Sequence, residues 1–202
     1  MTPEDLAQKI LQGADGRGRI IVALAGPPGA GKSTLAAAVV AALGQGARVV
    51  PMDGFHFDDR VLAQRGLSSR KGAPETFDIH GFLHLMHRLR DGGEIAIPVF
   101  DRAMELSRAA ADVVTDEDRI LVVEGNYLLL DEYPWRDLRD FFDLTVFLDV
   151  PFEELERRLI RRGLDAGRSP EAAALWAQSN DLPNARRVLD GSVPADEVIR
   201  WQ

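Results

Sequence analysis

Gly26-Pro27-Pro28-Gly29-Ala30-Gly31-Lys32-Ser33-Thr34 fits the pattern G-x-x-x-x-G-K-[ST] at every position. The run before it, Arg19-Ile20-Ile21-Val22-Ala23-Leu24-Ala25, is apolar and of strand length. The run after it, from Leu35 to Leu43, is rich in strong helix formers. Strand, glycine loop and helix form the context that a phosphate-binding P-loop requires. Gly26, Gly29 and Gly31 can take backbone angles closed to other residues, so successive N–H groups converge on one point. The helix that follows adds the positive end of its dipole. Ala30 and Thr34 contribute backbone and side chain to the same cradle. Lys32 brings a mobile charge for β- and γ-phosphates, and the Ser33 hydroxyl is a ligand for Mg²⁺. The stretch predicts a nucleoside triphosphate site.

Outward from the loop, the pattern alternates strands and helices. Thr2 reads as an N-cap with Pro3 at the first helical position, and Leu6, Ile10 and Leu11 share one apolar face. That helix is expected to end at Gly13, with Gly16 and Gly18 leading into the first strand. Arg48 to Met52 reads as a second strand that delivers Asp53 at its carboxyl end. The stretch from Asp58 to Asp78 is polar and punctuated by Gly66 and Gly72-Ala73-Pro74, which predicts a surface excursion beside the site. Phe82 to Leu89 marks a helix ending before Gly92-Gly93, and Ile95 to Phe100 a strand that Pro98 confines to an edge. Ile120 to Gly125 and Leu144 to Val150 read as buried strands. Pro151 opens a helix to about Arg162, Pro170 one to about Gln178, and Glu197 to Trp201 closes the chain as a last strand. The fold class is α/β, a P-loop NTPase fold with a parallel sheet covered by helices on both faces, in a single domain over residues 1–202. Ligands in such folds bind where the strands end, so the P-loop, Asp53 and Glu124 are expected to share one crevice.

Composition limits the partners. The chain has 202 residues, 46% hydrophobic and 28% charged, with a net charge of −8 and no cysteine. The acidic balance disfavours nucleic acid or an anionic membrane as the main partner. Without cysteine there is no thiolate chemistry and no disulfide framework. The N-terminal residues lack the cationic and apolar regions of a signal peptide, and no apolar run is long enough to span a membrane. A cytoplasmic enzyme is expected, with homodimer formation left open.

Several side chains are candidates for chemistry. Asp53 is the candidate general base, because phosphoryl transfer to an alcohol needs a carboxylate near the attacking hydroxyl. Glu124 stands at the end of an apolar strand, where a P-loop protein carries its magnesium-site acid. Asp149 also ends a strand and is assigned to the start of the next helix. Arg157, Arg158, Arg161 and Arg162 crowd one helix in an acidic chain, the pattern of a lid closing on a triphosphate. His56, three residues after Asp53, is placed to contact the acceptor. His80, His84 and His87 lack partners for a metal set and read as ordinary helix residues.

From Asp53 onward the chain resembles a family. The P-loop, Asp53-Gly54-Phe55, Arg70 to Asp78, Pro98-Val99-Phe100-Asp101, Val122-Val123-Glu124-Gly125 and Arg158 to Arg162 are similar to the uridine kinase and pantothenate kinase group of P-loop kinases. Met52 to His56, Glu124-Gly125-Asn126-Tyr127 and Asn180-Asp181-Leu182-Pro183-Asn184-Ala185 look like the short bacterial members of that group, some of which carry the label fructose transport system kinase. The resemblance spans about residues 20–200. It implies an ATP- and Mg²⁺-dependent kinase acting on a hydroxyl of a small molecule, a sugar such as fructose or a nucleoside. It implies Asp53 as base, Glu124 in the magnesium site and Arg158, Arg161 and Arg162 as lid. Asn180 and Asn184 would lie near the nucleotide base, and Phe77, Asp78 and Arg102 would face the acceptor. Two departures stand out. Pantothenate kinases carry histidine where this chain has Arg102, and uridine kinases carry Asp-Ser-Phe-Tyr where it has Asp53-Gly54-Phe55-His56. Two other classes stay open: a nucleotide-dependent regulatory switch with no small acceptor, and a nucleoside-monophosphate kinase, which Arg65, Arg70, Lys71 and Arg102 would serve.

Overall fold

The computed structural model describes residues 1–14 and 18–200. Gly16 and Trp201, both assigned above, lie outside the described residues. Thr2 and Asp5 form a reciprocal cap at the start of α1 (Pro3–Ala14): the Asp5 amide donates to Thr2 Oγ1 (3.1 Å), and the Thr2 amide donates to Asp5 Oδ2 (2.8 Å).

Five strands form the main sheet: β1 (Ile20–Ala25), β2 (Ala47–Pro51), β5 (Ile120–Gly125), β6 (Leu144–Asp149) and β7 (Glu197–Arg200). Their order is β2-β5-β1-β6-β7, and every pairing is parallel. Strand alternation divides the interior in two. Ile21, Ala23, Leu121 and Val123 face a core completed by α4 (Ile79–Asp91), Tyr127 and a 3₁₀ segment over Trp135–Phe141. Ile20, Val22, Leu24, Ile120 and Val122 face a second core. That one is built with α1, α2 (Lys32–Leu43), α5 (Phe152–Asp165) and α7 (Leu182–Gly191). Both faces being covered explains why β1 and β5 are continuous apolar runs rather than alternating ones.

The register of this sheet builds the site. Glu124 is paired with Leu24 on one side and with Pro51 on the other. Gly26 and Asp53 each follow their paired residue by two positions, so P-loop, Asp53 and Glu124 emerge side by side at the carboxyl end of the sheet.

Four features differ from the sequence expectations. The strand containing Pro98 is an edge of a separate antiparallel ribbon, β3 (Ile95–Asp101) with β4 (Leu106–Val114). β4 was not foreseen, because Ala109-Ala110-Ala111 has no strand periodicity. Pro98 has no N–H to give the ladder, and opposite it β4 bulges, with Ala110 at a φ of 51°. The excursion after β2 contains α3 (Asp59–Gln64), anchored by the buried Leu62. The helix from Pro170, α6 (Pro170–Trp176), passes into a π-helical turn over Ala177–Asp181 and then into α7, which was also not foreseen. Asp149 does not start α5: Pro151 holds the capping position, and the Asp149 carboxylate faces Arg200 at 3.8 Å.

The ribbon is clamped to the turn that carries Asp53. Ser107 Oγ donates to the Gly54 carbonyl, and a Cβ built on Gly54 would stand 2.7 Å from the carbonyl carbon of Pro98. Backbone cannot yield there as a flexible side chain would. Gly54→Ala is therefore expected to destabilise the protein by about 1–3 kcal/mol through overpacking. Urea unfolding of the two proteins measures it; an unchanged midpoint would show that the ribbon is free to shift.

Candidate active site

At the carboxyl end of the sheet lies a crevice of about 800 Å³ that runs from the P-loop to the tip of the β3–β4 ribbon. The loop glycines adopt the angles the motif demands, with φ of 154° at Gly26, 81° at Gly29 and 95° at Gly31. Gly29, Gly31, Ser33 and Thr34 line the crevice, and the buried Ala30 supports the loop from the α-helical core.

Lys32 is 7% exposed. Its ammonium donates to the Pro27 carbonyl (3.0 Å) and to Asn126 Oδ1 (2.6 Å). Burial pushes its pKa down to about 8, while Glu124 and Asp53 pull it back up. Glu124 is likewise buried and accepts a hydrogen bond from Ser33 Oγ at 3.1 Å. Burial, then repulsion from Asp53, raises the Glu124 carboxyl above its usual range. An enclosed cation, two nearby carboxylates and a glycine loop at the start of a helix are a cavity suited to a polyphosphate with its counterion. Ser33 and Glu124 supply two oxygen donors, as a magnesium site completed by phosphate oxygens and water requires. Among the described residues there is no cluster of three or more His, Cys, Asp or Glu able to hold a metal unaided.

Asp53 faces the crevice from the 3₁₀ turn after β2, and its Oδ2 accepts from Arg102 Nη2 at 2.6 Å. Arg102 stands at the exposed ribbon tip, so the ribbon delivers a cation to the candidate base. His56 lies just behind, its ring between Phe77 (4.0 Å between centroids) and Phe100 (4.8 Å). Its Nδ1 is 2.9 Å from the Asp53 carbonyl. A carbonyl only accepts, so Nδ1 carries the proton, and burial, its main influence, pushes the imidazole pKa down toward this neutral form.

The other predicted residues divide. Arg158 and Arg162 line the crevice. Arg158 donates to the Gly29 and Ala30 carbonyls (3.2 and 3.3 Å), and Arg162 pairs with Asp181 at 3.2 Å. Arg161 points away and pairs with Asp165. Asn184 lines the crevice, whereas Asn180 is fully buried and donates to the Lys71 carbonyl at 2.7 Å. Phe77 is a buried support for His56, and Asp78 caps α4 by accepting from the Gly81 amide at 2.9 Å. Phe77 and Asp78 both border a separate depression. Three residues with roles in the crevice went unassigned: Asn126, which holds Lys32, and Asp59 and Glu105, which hold the Lys71 ammonium. Asn126 was findable, since it follows Glu124 by two residues at a strand end. The other two depend on how the excursion meets the ribbon.

A P-loop on the central strand of a parallel sheet, an acidic strand end beside it and an arginine-bearing helix above it define a P-loop kinase. Residues 21–180 match the Phosphoribulokinase / Uridine kinase family, and the chain belongs to that family. Escherichia coli K12 protein YggC is 33% identical over 194 residues, covering 94% of this chain and 81% of that one. A Schizosaccharomyces pombe protein provisionally named uridine kinase C227.14 is 33% identical over 196 residues, covering 90% and 83%. The crystal structure of a Silicibacter sp. TM1040 protein provisionally described as a fructose transport system kinase has a TM-score of 0.94, at 48% identity over all of both chains. Among the described residues no helix is long and apolar enough to cross a membrane.

Lys32→Ala should abolish turnover by removing the buried ammonium held by the loop. Lys32→Arg should lose most of it, because a planar fork cannot replace a compact ammonium held between Pro27 and Asn126. ADP release measured for both variants decides this; full activity in either would remove the loop from the mechanism.

Proposed function

We propose that the protein transfers the γ-phosphate of ATP to a hydroxyl of a small molecule, a sugar such as fructose or a nucleoside, with Asp53 as general base. The observation that carries this reading is the position of the Asp53 carboxylate, in the same crevice as the P-loop and paired with a cation from a separate ribbon. In this reaction the acceptor oxygen forms a bond to the γ-phosphorus, the bond from that phosphorus to the β-phosphate oxygen breaks, and ADP leaves. The acceptor's proton passes to Asp53. Lys32 and the loop amides hold the phosphates, and Arg158 and Arg162 supply charge from the lid side. Mg²⁺, held by Ser33 and Glu124, would offset charge on the phosphate oxygens. Arg102 orients the carboxylate through its contact with Oδ2. The label of the Silicibacter protein and the names of the uridine kinase relatives make fructose and nucleosides the first acceptors to test.

Coupled ADP release over hexoses, pentoses, nucleosides, pantothenate and glycerate tests the reading. No acceptor-stimulated release across that panel would overturn it, and hydrolysis responsive only to a protein partner would point to a regulatory switch. Asp53→Asn should then lower kcat by roughly 10²–10⁴-fold, since an amide keeps the shape but takes no proton. The ATP dissociation constant should change little. A near-normal kcat would reduce Asp53 to a turn residue, and a parallel loss of ATP affinity would place it in the nucleotide site.

A further inference from the structure

Asn126 stands just past β5 with one half of its side-chain amide in use and the other half free. Its Oδ1 accepts from the Lys32 ammonium at 2.6 Å. An ammonium only donates, so the oxygen is the amide atom on Lys32 and Nδ2 is the atom turned away. Among the described residues no acceptor reaches Nδ2. Nor is Nδ2 shut in. Asn126 is half-buried and lines the crevice, and its nitrogen is not one of the buried side-chain atoms that lack a partner. The crevice therefore holds an N–H donor, open to a ligand, whose direction the buried Lys32 fixes.

The sheet determines what that donor meets. Its strands run in the order β2-β5-β1, and Glu124 of β5 is paired with Pro51 of β2 and Leu24 of β1. Asp53, Asn126 and Gly26 each stand two residues beyond that row. Asn126 is the middle member, with the start of the P-loop on one side and the candidate base on the other. The loop and Lys32 hold the phosphates, and Asp53 receives the acceptor. A phosphoryl group passing from one to the other crosses the end of β5. During that passage its three equatorial oxygens share the charge and lie to the side of the line between leaving and attacking oxygens. A donor beside that line faces them. Nδ2 is also one amide width from the oxygen that Lys32 contacts, within reach of a phosphate oxygen held by that ammonium. Resting on the kinase reading above, we infer that Asn126 is a further catalytic residue, whose Nδ2 donates a hydrogen bond to a non-bridging oxygen of the γ-phosphoryl group as it moves to the acceptor. The acceptor oxygen bonds to phosphorus, the bond to the β-phosphate oxygen breaks, and the amide keeps both of its protons. Oδ1 stays on Lys32, so ammonium and amide hold the moving group as a pair.

Two variants of the full chain test this. Asn126→Leu keeps nearly the same volume and removes both polar atoms, whereas Asn126→Asp keeps an oxygen for Lys32 and removes the donor. Steady-state kinetics use whichever member of the ADP-release panel the wild type phosphorylates, and equilibrium binding uses ADP. Asn126→Leu should lower kcat/KM for ATP by roughly 10- to 100-fold, the worth of a hydrogen bond to a charged group. The ADP dissociation constant and the KM of the acceptor should not move, because neither ligand carries the γ-phosphoryl group. Asn126→Asp should lose at least as much turnover, since its charge also repels the phosphoryl oxygens. A matching loss of ADP affinity in Asn126→Leu would mean that Asn126 only holds Lys32, and so would near-normal turnover by Asn126→Asp. A raised acceptor KM with unchanged ATP kinetics would put Nδ2 on the acceptor, and normal kinetics of Asn126→Leu would leave the amide idle. Each of these results overturns the inference and leaves the kinase reading intact. If the wild type phosphorylates nothing in the panel, the kinase reading itself fails, and this inference with it. Thermal melting checks that the variants fold; if Asn126→Leu does not, the turnover of Asn126→Asp decides alone.

Discussion

Lys32 is a cation taken out of water, and much of the surrounding architecture follows from that. A buried ammonium needs a full set of acceptors, and the protein supplies a P-loop carbonyl, the Asn126 amide and the nearby carboxylates of Glu124 and Asp53. They come from three strand ends, with Asn126 and Glu124 sharing that of β5, so they meet only if β1, β2 and β5 are paired in one register. A slip of a single residue in that pairing would turn Glu124 from the crevice into a core. Site and sheet are therefore one constraint: the continuous apolar runs that fix the register also fix where the charges stand.

The second organising contact is the seat of the β3–β4 ribbon on the Asp53 turn. The ribbon lies outside the main sheet, so its own ladder cannot set its position relative to the P-loop. Gly54 sets it instead, by letting the Pro98 backbone approach where any side chain would intrude, and Ser107 fastens the approach. As a result the Arg102 side chain, largely in solvent at the ribbon tip, still reaches Asp53. A backbone fit in the interior thus decides whether a cation from the ribbon tip meets the Asp53 carboxylate in the crevice.

Much of this was legible in the sequence because it depends on local rules. The P-loop, the strand-end carboxylates and the Thr2 cap are short-range patterns with a physical cause, and they stand where the pattern puts them. What was hidden is what depends on distant partners. β4 has a run of alanines and no alternation, so it is a strand only because β3 pairs with it. Arg161 and Arg162 are neighbours in sequence, yet the helix turns one to the crevice and the other to Asp165. Asp149 has the sequence context of a helix cap, but Pro151 fills that position and Arg200 takes the carboxylate. The resemblance puts Asn180 and Asn184 near the nucleotide base; it does not reveal that Asn180 is buried and donates to the Lys71 carbonyl, a contact between distant segments of the chain.

The π-helical turn over Ala177–Asp181 amounts to one residue more than an α-helix would hold in the same span. Removing a residue within it would restore an α-helical turn and leave α7 in place, whereas removing one from α6 would turn everything downstream by about 100° around the axis. In that second case Asp181 would leave Arg162, and Asn184 would leave the crevice wall. The π-helical turn is thus the point at which chain length between the arginine helix and the far wall of the cavity can change without loss of phase.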